Sequence, residues 1–282
     1  MAPDTCEIGD LTVTRLGFGA MRLCGSGIIG PPADEAAARA VLQRAVELGV
    51  DFVDTADAYG PGVDERLIRE ALHPYPEDLT VATKAGLLRH VDGDWVRCGD
   101  PAYLHDAVLS SRDRLGVETI DLLQLHRPDP DVPIEDSVAE LAEMRDRGLI
   151  ANVGLSNVDV DQLDRASEVA EVVSVQNRYS VVDRRHEDVL AACEERDLAF
   201  VPWAPIAGGD FGDAADALAA VADDHDATPS QVALAWLLEH SPVVCPIPGT
   251  SSLDHLEENV AAAYLSLSAS AYERLAAVDA GD

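Results

Sequence analysis

Short apolar runs alternate with helix-patterned segments along nearly the whole chain, and this alternation is the strongest constraint on its fold. Apolar runs at 50–54, 79–83, 119–125, 150–155, 172–175, 198–201 and 243–247 are each followed by an amphipathic stretch or a polar loop leading to one. Arg15 to Ala20 supplies the first of eight predicted strands. Helices are expected at about 35–48, 63–72, 102–115, 135–147, 159–168, 186–195, 213–224 and 230–239, then to Ala263 and from Ser270 to Val278. Their punctuation fits: Asp34 can cap the first, and Gly49, Gly116 and Gly148 stand where helices should close. Strands separated by helices cannot pair as hairpins, so they line up in parallel with each crossover helix laid on the sheet. Eight such units predict an α/β protein built as a (β/α)8 TIM barrel. A doubly wound open sheet is the alternative. Gly17-Phe18-Gly19 could suggest a dinucleotide-binding turn, but Arg22 occupies the third glycine position, so that reading is rejected. Residues 6–14, with Gly9-Asp10 at the turn, read as an N-terminal β-hairpin, and the last segment as an extra C-terminal helix. A barrel takes ~250 residues. The 282 residues show no linker or composition shift, so 1–282 is expected to be a single domain.

Three of the predicted strands deliver a titratable side chain at or near the same end. Phe52-Val53 leads into Asp54, with Tyr59 five residues on, followed by Gly60-Pro61-Gly62. Lys84 ends the run 79–83, and His126 ends the run 120–125. The C-terminal end of the strands is where such a barrel keeps its active site. Lys84 is the only lysine in the chain. Each residue alone has a bland reading: a strand-end cap, a packed tyrosine, a leftover surface lysine, a satisfied histidine. Together they point to catalysis. The stretch from Gly86 to Gly99 is expected to be a substrate loop, with Trp95 either lining the pocket or packing on the barrel.

Asp54, Tyr59, Lys84 and His126, in this order and spacing, resemble the catalytic tetrad of the aldo-keto reductases, over nearly the whole chain from Leu11 to about Leu267. The resemblance implies reduction of a small-molecule aldehyde or ketone, with hydride from a nicotinamide and a proton from Tyr59. A phenol with a pKa of about 10 is a weak acid at neutral pH, and a nearby ammonium favours the phenolate. Lys84 would therefore lower the Tyr59 pKa, Asp54 would orient Lys84, and His126 would polarise the substrate oxygen. The resemblance also implies that the hairpin plugs the barrel.

For the cofactor, the resemblance implies contacts from Gly19 and Met21, and from Ser156, Asn157 and Gln176 to the carboxamide. Trp203 would stack on the nicotinamide where tyrosine is usual, as in the potassium-channel β-subunit branch. Ala204, Pro205, Ile206 and Gly208 would wrap the pyrophosphate. Pro248, Gly249, Thr250, Ser251 and Ser252 open a helix and suit a phosphate, although a serine N-cap explains the same residues. His255, Glu258 and Asn259 complete the match. Basic residues that often clamp a 2′-phosphate near Ser251 are missing; NADP is favoured, with NAD kept open. Gly17 to Arg22, Gly30-Pro31-Pro32, Ala71 to Pro76 and Pro248 to Ser252 look most like the pyridoxal reductase (pyridoxine 4-dehydrogenase) branch. The alternatives are a nicotinamide-holding redox sensor of the same fold and a sugar or polyol dehydrogenase.

Composition excludes other classes. The net charge of −32 argues against nucleic acid or an anionic membrane as partner, since both need a cationic surface. No apolar run is long enough to span a bilayer and no signal pattern opens the chain, so a cytoplasmic location is expected. The five cysteines lack CxxC spacing and the histidines lack HxxxH or HExxH spacing, so no metal site is predicted. Nothing specifies an oligomeric state. With acids interleaved among apolar residues and lysine nearly absent, the charge suggests adaptation to high salt. The melting temperature should therefore rise with KCl from 0.05 to 2 M, most of the gain arriving by ~1 M, where the Debye length has fallen to ~3 Å. A flat or falling melting temperature would assign the acidic surface another purpose.

Overall fold

The computed structural model describes residues 4–90 and 92–278. Strands β1 (Thr5–Ile8) and β2 (Leu11–Thr14) form the antiparallel hairpin around Gly9 and Asp10. The chain then alternates through β3 (Phe18–Gly19), α1 (Glu35–Glu47), β4 (Phe52–Asp54), α2 (Val63–Leu72) and β5 (Thr80–Ala85). A second hairpin follows, β6 (Leu87–Arg89) and β7 (Trp95–Arg97), before α3 (Pro101–Leu115). Next come β8 (Ile120–Leu125), α4 (Ile134–Asp146), β9 (Ile150–Ser156), α5 (Val160–Ser167), β10 (Val172–Gln176), α6 (Glu187–Glu195) and β11 (Ala199–Phe200). Helices α7 (Ala215–His225), α8 (Pro229–His240), α9 (Leu253–Ala261) and α10 (Ala269–Ala276) close the chain. Local chemistry fixes several helix starts: Asp34 accepts from the Ala37 N–H, Asp100 from Tyr103, and Asp159 and Thr228 each form a capping box.

Seven parallel strands run in the order β11-β10-β9-β8-β5-β4-β3. The predicted eighth strand, 243–247, is not a regular strand. It is an extended segment that nonetheless closes the ring. On one side Phe200 N–H donates to Val243 O (2.9 Å) and Cys245 N–H to Phe200 O (2.8 Å). On the other, Gly17 N–H donates to Pro246 O (3.0 Å) and Gly19 N–H to Pro248 O (3.3 Å). Pro246 and Pro248 have no N–H, so the segment cannot build a two-way ladder. The first strand is correspondingly short: only Phe18–Gly19 pairs with β4, and Ala20–Leu23 turns into a 3-10 helix.

Side-chain alternation with period two divides every strand between two environments. Phe52, Ala82 and Leu122 point inward and pack with Cys6, Ile8 and Val13 of the hairpin, which stoppers the N-terminal end of the barrel. Val81, Leu123 and Val153 point outward against the helices. The stopper is tied down where Asn152 donates to Asp10 Oδ1 (2.7 Å), and a Cβ on Gly9, whose φ is +65°, would collide with that same asparagine. Two residues beyond the inward apolar layer come Asp54, Lys84 and Gln124. The barrel interior thus changes from apolar to polar between adjacent layers, at the C-terminal ends of the strands.

Candidate active site

The polar layer is a connected network. Lys84, fully buried, donates from Nζ to Asp54 Oδ1 (2.6 Å) and to the Thr55 carbonyl (2.8 Å). Gln176 Nε2 donates to the other oxygen of Asp54 (2.8 Å) and to Gln124 Oε1 (2.9 Å). Asp54 is therefore held from both sides, by a cation and by an amide. The backbone after β4 is fixed by Thr55 N–H to Ala82 O (2.8 Å) and Asp57 N–H to Lys84 O (3.1 Å), which folds Tyr59 back over the lysine. Lys84 Nζ lies 5.2 Å from the centre of the Tyr59 ring. His126 meets that ring edge-on, at 5.9 Å between centroids. The structure thus brings Asp54, Tyr59, Lys84 and His126 together.

The electrostatics differ from the expectation that Lys84 lowers the Tyr59 pKa. Burial raises the Tyr59 phenol well above its ordinary value, and the carboxylates Asp54, Asp64 and Asp57 push the same way. Asp54, the partner of Lys84, is the largest of these charges acting on the phenol. His126 is depressed well below its ordinary pKa, first by burial and then by Lys84 and Arg127, so its imidazole is neutral at neutral pH. Its Nδ1 is buried without a partner.

Beneath the tyrosine lies a set of acids that the sequence reading passed over. Asp64 is buried with Thr55 as its hydrogen-bond donor (2.8 Å), and Glu65 accepts from Thr83 (2.7 Å) and pairs with Arg114. Asp57 accepts from Tyr103 Oη (2.9 Å), while its Oδ1 has no partner. Burial, reinforced by Glu65, raises Asp57 to about 7, and Asp64 is raised well above its ordinary value for the same leading reason.

The residues named for a cofactor lie along the same rim. Ser156 donates to the Gln176 carbonyl (2.8 Å), and Asn157 donates to Ser156 Oγ (2.8 Å) and His126 O (3.1 Å). Asn157, held at φ +59°, also accepts from Trp203 Nε1 (3.1 Å). The amide nitrogens of Asn157 and Gln176 are thus engaged within the protein; Gln176 Oε1 accepts no hydrogen bond among the described residues. Ala204, Pro205, Ile206 and Gly208 form an irregular turn, with Ala204 and Gly208 at positive φ. Gly249 and Gly19 face each other so closely that a Cβ on either would meet backbone oxygen at 2.5–2.7 Å. Met21 is half-buried in the 3-10 turn after Gly19. Pro248 and Thr250 are buried, while Ser251 and His255 are exposed at the start of α9. Ser252, which caps α9, accepts from the His255 N–H (3.4 Å). Further along α9, Glu258 gives its carbonyl to Gln231 (3.0 Å), and Asn259 is buried.

Two features were missed. Arg22 Cγ comes within 3.6 Å of where a Gly249 Cβ would stand, which brings a basic residue to a loop described as lacking one. The stretch 86–99, expected as a substrate loop, contains the hairpin β6–β7; Val91 lies outside the described residues. The alternating Trp95-Val96-Arg97 could have signalled a strand. Trp95 is exposed and reaches within 6.5 Å of His126, centroid to centroid. Among the described residues no group of His, Cys, Asp or Glu is placed to hold a metal ion.

A parallel barrel with an Asp–Lys–Tyr–His cluster at its C-terminal rim defines a class, and the comparisons agree with it. The sequence profile of the Aldo/keto reductase family matches residues 15–280, and this chain belongs to that family. An uncharacterised oxidoreductase of Schizosaccharomyces pombe is 50% identical over 271 residues, covering 96% of this chain and 88% of that one. The pyridoxine 4-dehydrogenase of Escherichia coli is 44% identical over 275 residues, covering 95% and 96%. The glycerol dehydrogenase structure from Gluconobacter oxydans superposes with a TM-score of 0.88 at 25% identity, covering 98% and 94%.

The buried acids generate a pH prediction. Asp57 has a folded pKa of about 7 against a reference value of 3.8. Between these values the folded protein keeps a proton that the unfolded chain has released, so stability falls as pH rises through this window. Asp57→Asn removes that contribution. Its melting temperature should decline less than that of the wild type from pH 5 to 8. An unchanged slope would show that Asp57 titrates at an ordinary carboxylate value.

Proposed function

We propose that this protein is a nicotinamide-dependent carbonyl reductase that converts aldehydes to alcohols, with Asp54, Tyr59, Lys84 and His126 as its working residues. One observation carries the reading: a fully buried Lys84, ion-paired to Asp54, lies under a tyrosine that a neutral histidine touches edge-on. When bound, the nicotinamide supplies hydride to the carbonyl carbon. As the C=O electron pair moves onto oxygen, Tyr59 gives that oxygen its phenolic proton. Its raised pKa keeps the proton in place until an alkoxide, a far stronger base, develops. The phenolate left behind is then stabilised by the Lys84 ammonium. His126, uncharged, is suited to orienting the substrate oxygen without competing as the acid.

The cofactor reading rests on features of this chain. The close approach of Gly19 and Gly249 leaves bare backbone where a phosphate could come near, and Gln176 keeps a free acceptor for an amide. Ser156, Asn157 and Trp203 form one hydrogen-bonded platform beside it. Arg22 supports NADP over NAD. The 44% identity to a pyridoxine 4-dehydrogenase supports pyridoxal as a substrate, and the likeness to a glycerol dehydrogenase favours polyol oxidation as the second reading. The five free cysteines fit a reducing cytoplasm. The acidic composition fits high salt, on which the relatives do not bear. We also take residues 1–282 to act as one domain.

Tyr59→Phe should lower reduction of pyridoxal and simple aldehydes by roughly 10²–10⁴-fold, the range of a general acid. Its affinity for NADPH, followed by tryptophan fluorescence, should stay within about twofold, because the ring remains. Near-wild-type turnover would remove Tyr59 from the mechanism. A wild-type protein that binds cofactor yet barely turns over would be a redox sensor instead.

Arg22→Ala tests the cofactor preference by binding alone. NADPH affinity should fall about tenfold, the scale of one charge-assisted contact, with a smaller loss for NADH. Equal losses for both cofactors would place Arg22 at the shared pyrophosphate, and no loss would remove it from the site.

A further inference from the structure

The rim above Tyr59 and His126 carries positive charge that the protein leaves unmatched. Hairpin β6–β7 stands over it, with the Arg89 guanidinium 3.8 Å above the centre of the Trp95 ring. The base of the hairpin is pinned beside the end of β8. Cys98 N–H donates to Gly86 O (3.1 Å), and a Cβ on Gly86 would come within 3.8 Å of the Arg127 carbonyl. Arg97, one residue before Cys98, and Arg127, one residue after His126, are therefore delivered to the same rim from two different elements.

Many arginines elsewhere are paired: Arg39 with Glu35 and Glu70, Arg165 with Glu135, Arg196 with Asp164. Among the described residues, Arg97 and Arg127 have neither an ion pair nor a side-chain hydrogen bond. Arg22, Arg66 and Arg274 are likewise without a partner among the described residues; Arg97 and Arg127 differ in that adjoining elements bring them to one rim. Two of the nearby acids are committed to backbone. Asp129 accepts from the N–H groups of Gly99 (2.8 Å) and Asp131 (3.0 Å), and Asp100 caps α3 through Tyr103 (3.1 Å). Arg127 is half-buried, and burial together with Arg97 pulls its pKa below the ordinary value. Two guanidiniums held within each other's field beside a reactive centre repel one another, and an anion between them would relieve the repulsion.

We propose that Arg97 and Arg127 form an anion subsite at the substrate mouth, so that the preferred carbonyl substrate carries a carboxylate or a phosphate; this rests on the carbonyl-reductase reading of the site. The subsite lies on the β5–β8 side of the rim. The residues assigned to the cofactor come from β3 and the turn after it, the ends of β9 and β10, the turn after β11, and the loop before α9 with α9 itself.

The test compares 4-formylbenzoate with 4-formylbenzamide, a pair of nearly equal shape that differs in charge, at fixed ionic strength. The wild type should favour the carboxylate by about tenfold or more in kcat/KM, the scale of a charge-assisted hydrogen bond. Arg127→Gln should reduce that ratio at least several-fold, and so should Arg97→Gln, whose exposed position keeps folding out of the question. Pyridoxal against pyridoxal 5′-phosphate forms the phosphate arm; a preference confined to one pair identifies which anion the subsite takes. A ratio near one in the wild type for both pairs, or a ratio that neither substitution moves, would overturn the proposal. Calorimetric titration of wild type and Arg127→Gln with 4-(hydroxymethyl)benzoate needs no turnover. Binding that weakens about tenfold in the variant would uphold the anion subsite even if every aldehyde proved inert and the reductase reading fell. Equal binding would sink the subsite while leaving that reading intact.

Discussion

The buried ion pair between Lys84 and Asp54 is the interaction on which the rest of the site depends. Two charges taken out of water are tolerated only when geometry and further hydrogen bonds compensate the lost hydration. Here Thr55 O completes the lysine and Gln176 completes the aspartate, while Gln124 accepts from Gln176 in turn. Removing one partner would leave the other charged and stranded, a loss of about 3–5 kcal/mol in comparable cases. The pair can exist because strand alternation supplies it: Asp54 and Lys84 each sit two residues beyond an inward apolar side chain, on neighbouring strands where Asp54 lies across from Ala82, two residues before Lys84.

Much of this was legible in the sequence because it follows from short-range rules. Asp34 and Gly116 mark helix ends by their own chemistry, and Asp54, Lys84 and His126 stand at the ends of apolar runs. The eighth strand was read as a regular run on its apolar pattern, although Pro246 and Pro248 at its end lack the N–H groups that a two-way ladder needs. Asp57, Asp64 and Glu65 look like ordinary turn and helix-start acids; only the folded backbone reveals that they are buried beneath Tyr59. Gln124 and Gln176 likewise show no sign in sequence that they are linked to one another and to Asp54. Arg22 reaches Gly249 across the barrel seam, a contact 227 positions apart along the chain that no local pattern encodes.

Charge is organised in opposite senses at different depths. The surface is dominated by carboxylates, and the arginines there largely form small matched groups. Beneath Tyr59, acids are buried and driven toward their neutral forms. At the rim, guanidiniums remain unmatched. For the proposed anion subsite, a surface rich in carboxylates would sharpen the contrast with these two guanidiniums and so favour anion approach there.

The barrel's closure has a dynamic consequence. Most neighbouring strands are held by ladders in which both partners donate and accept. At the seam between Gly17–Gly19 and 246–248, the observed bonds run one way, from two glycine amides to two proline carbonyls. A sheet opens first where its bonds are few and its side chains small. Hydrogen exchange at the Gly17 and Gly19 amides therefore reports on the opening of the whole cylinder. The same seam carries Gly19, Gly249 and Arg22, so a molecule bound across it would act as a rivet, slowing that exchange without touching the buried ion pair.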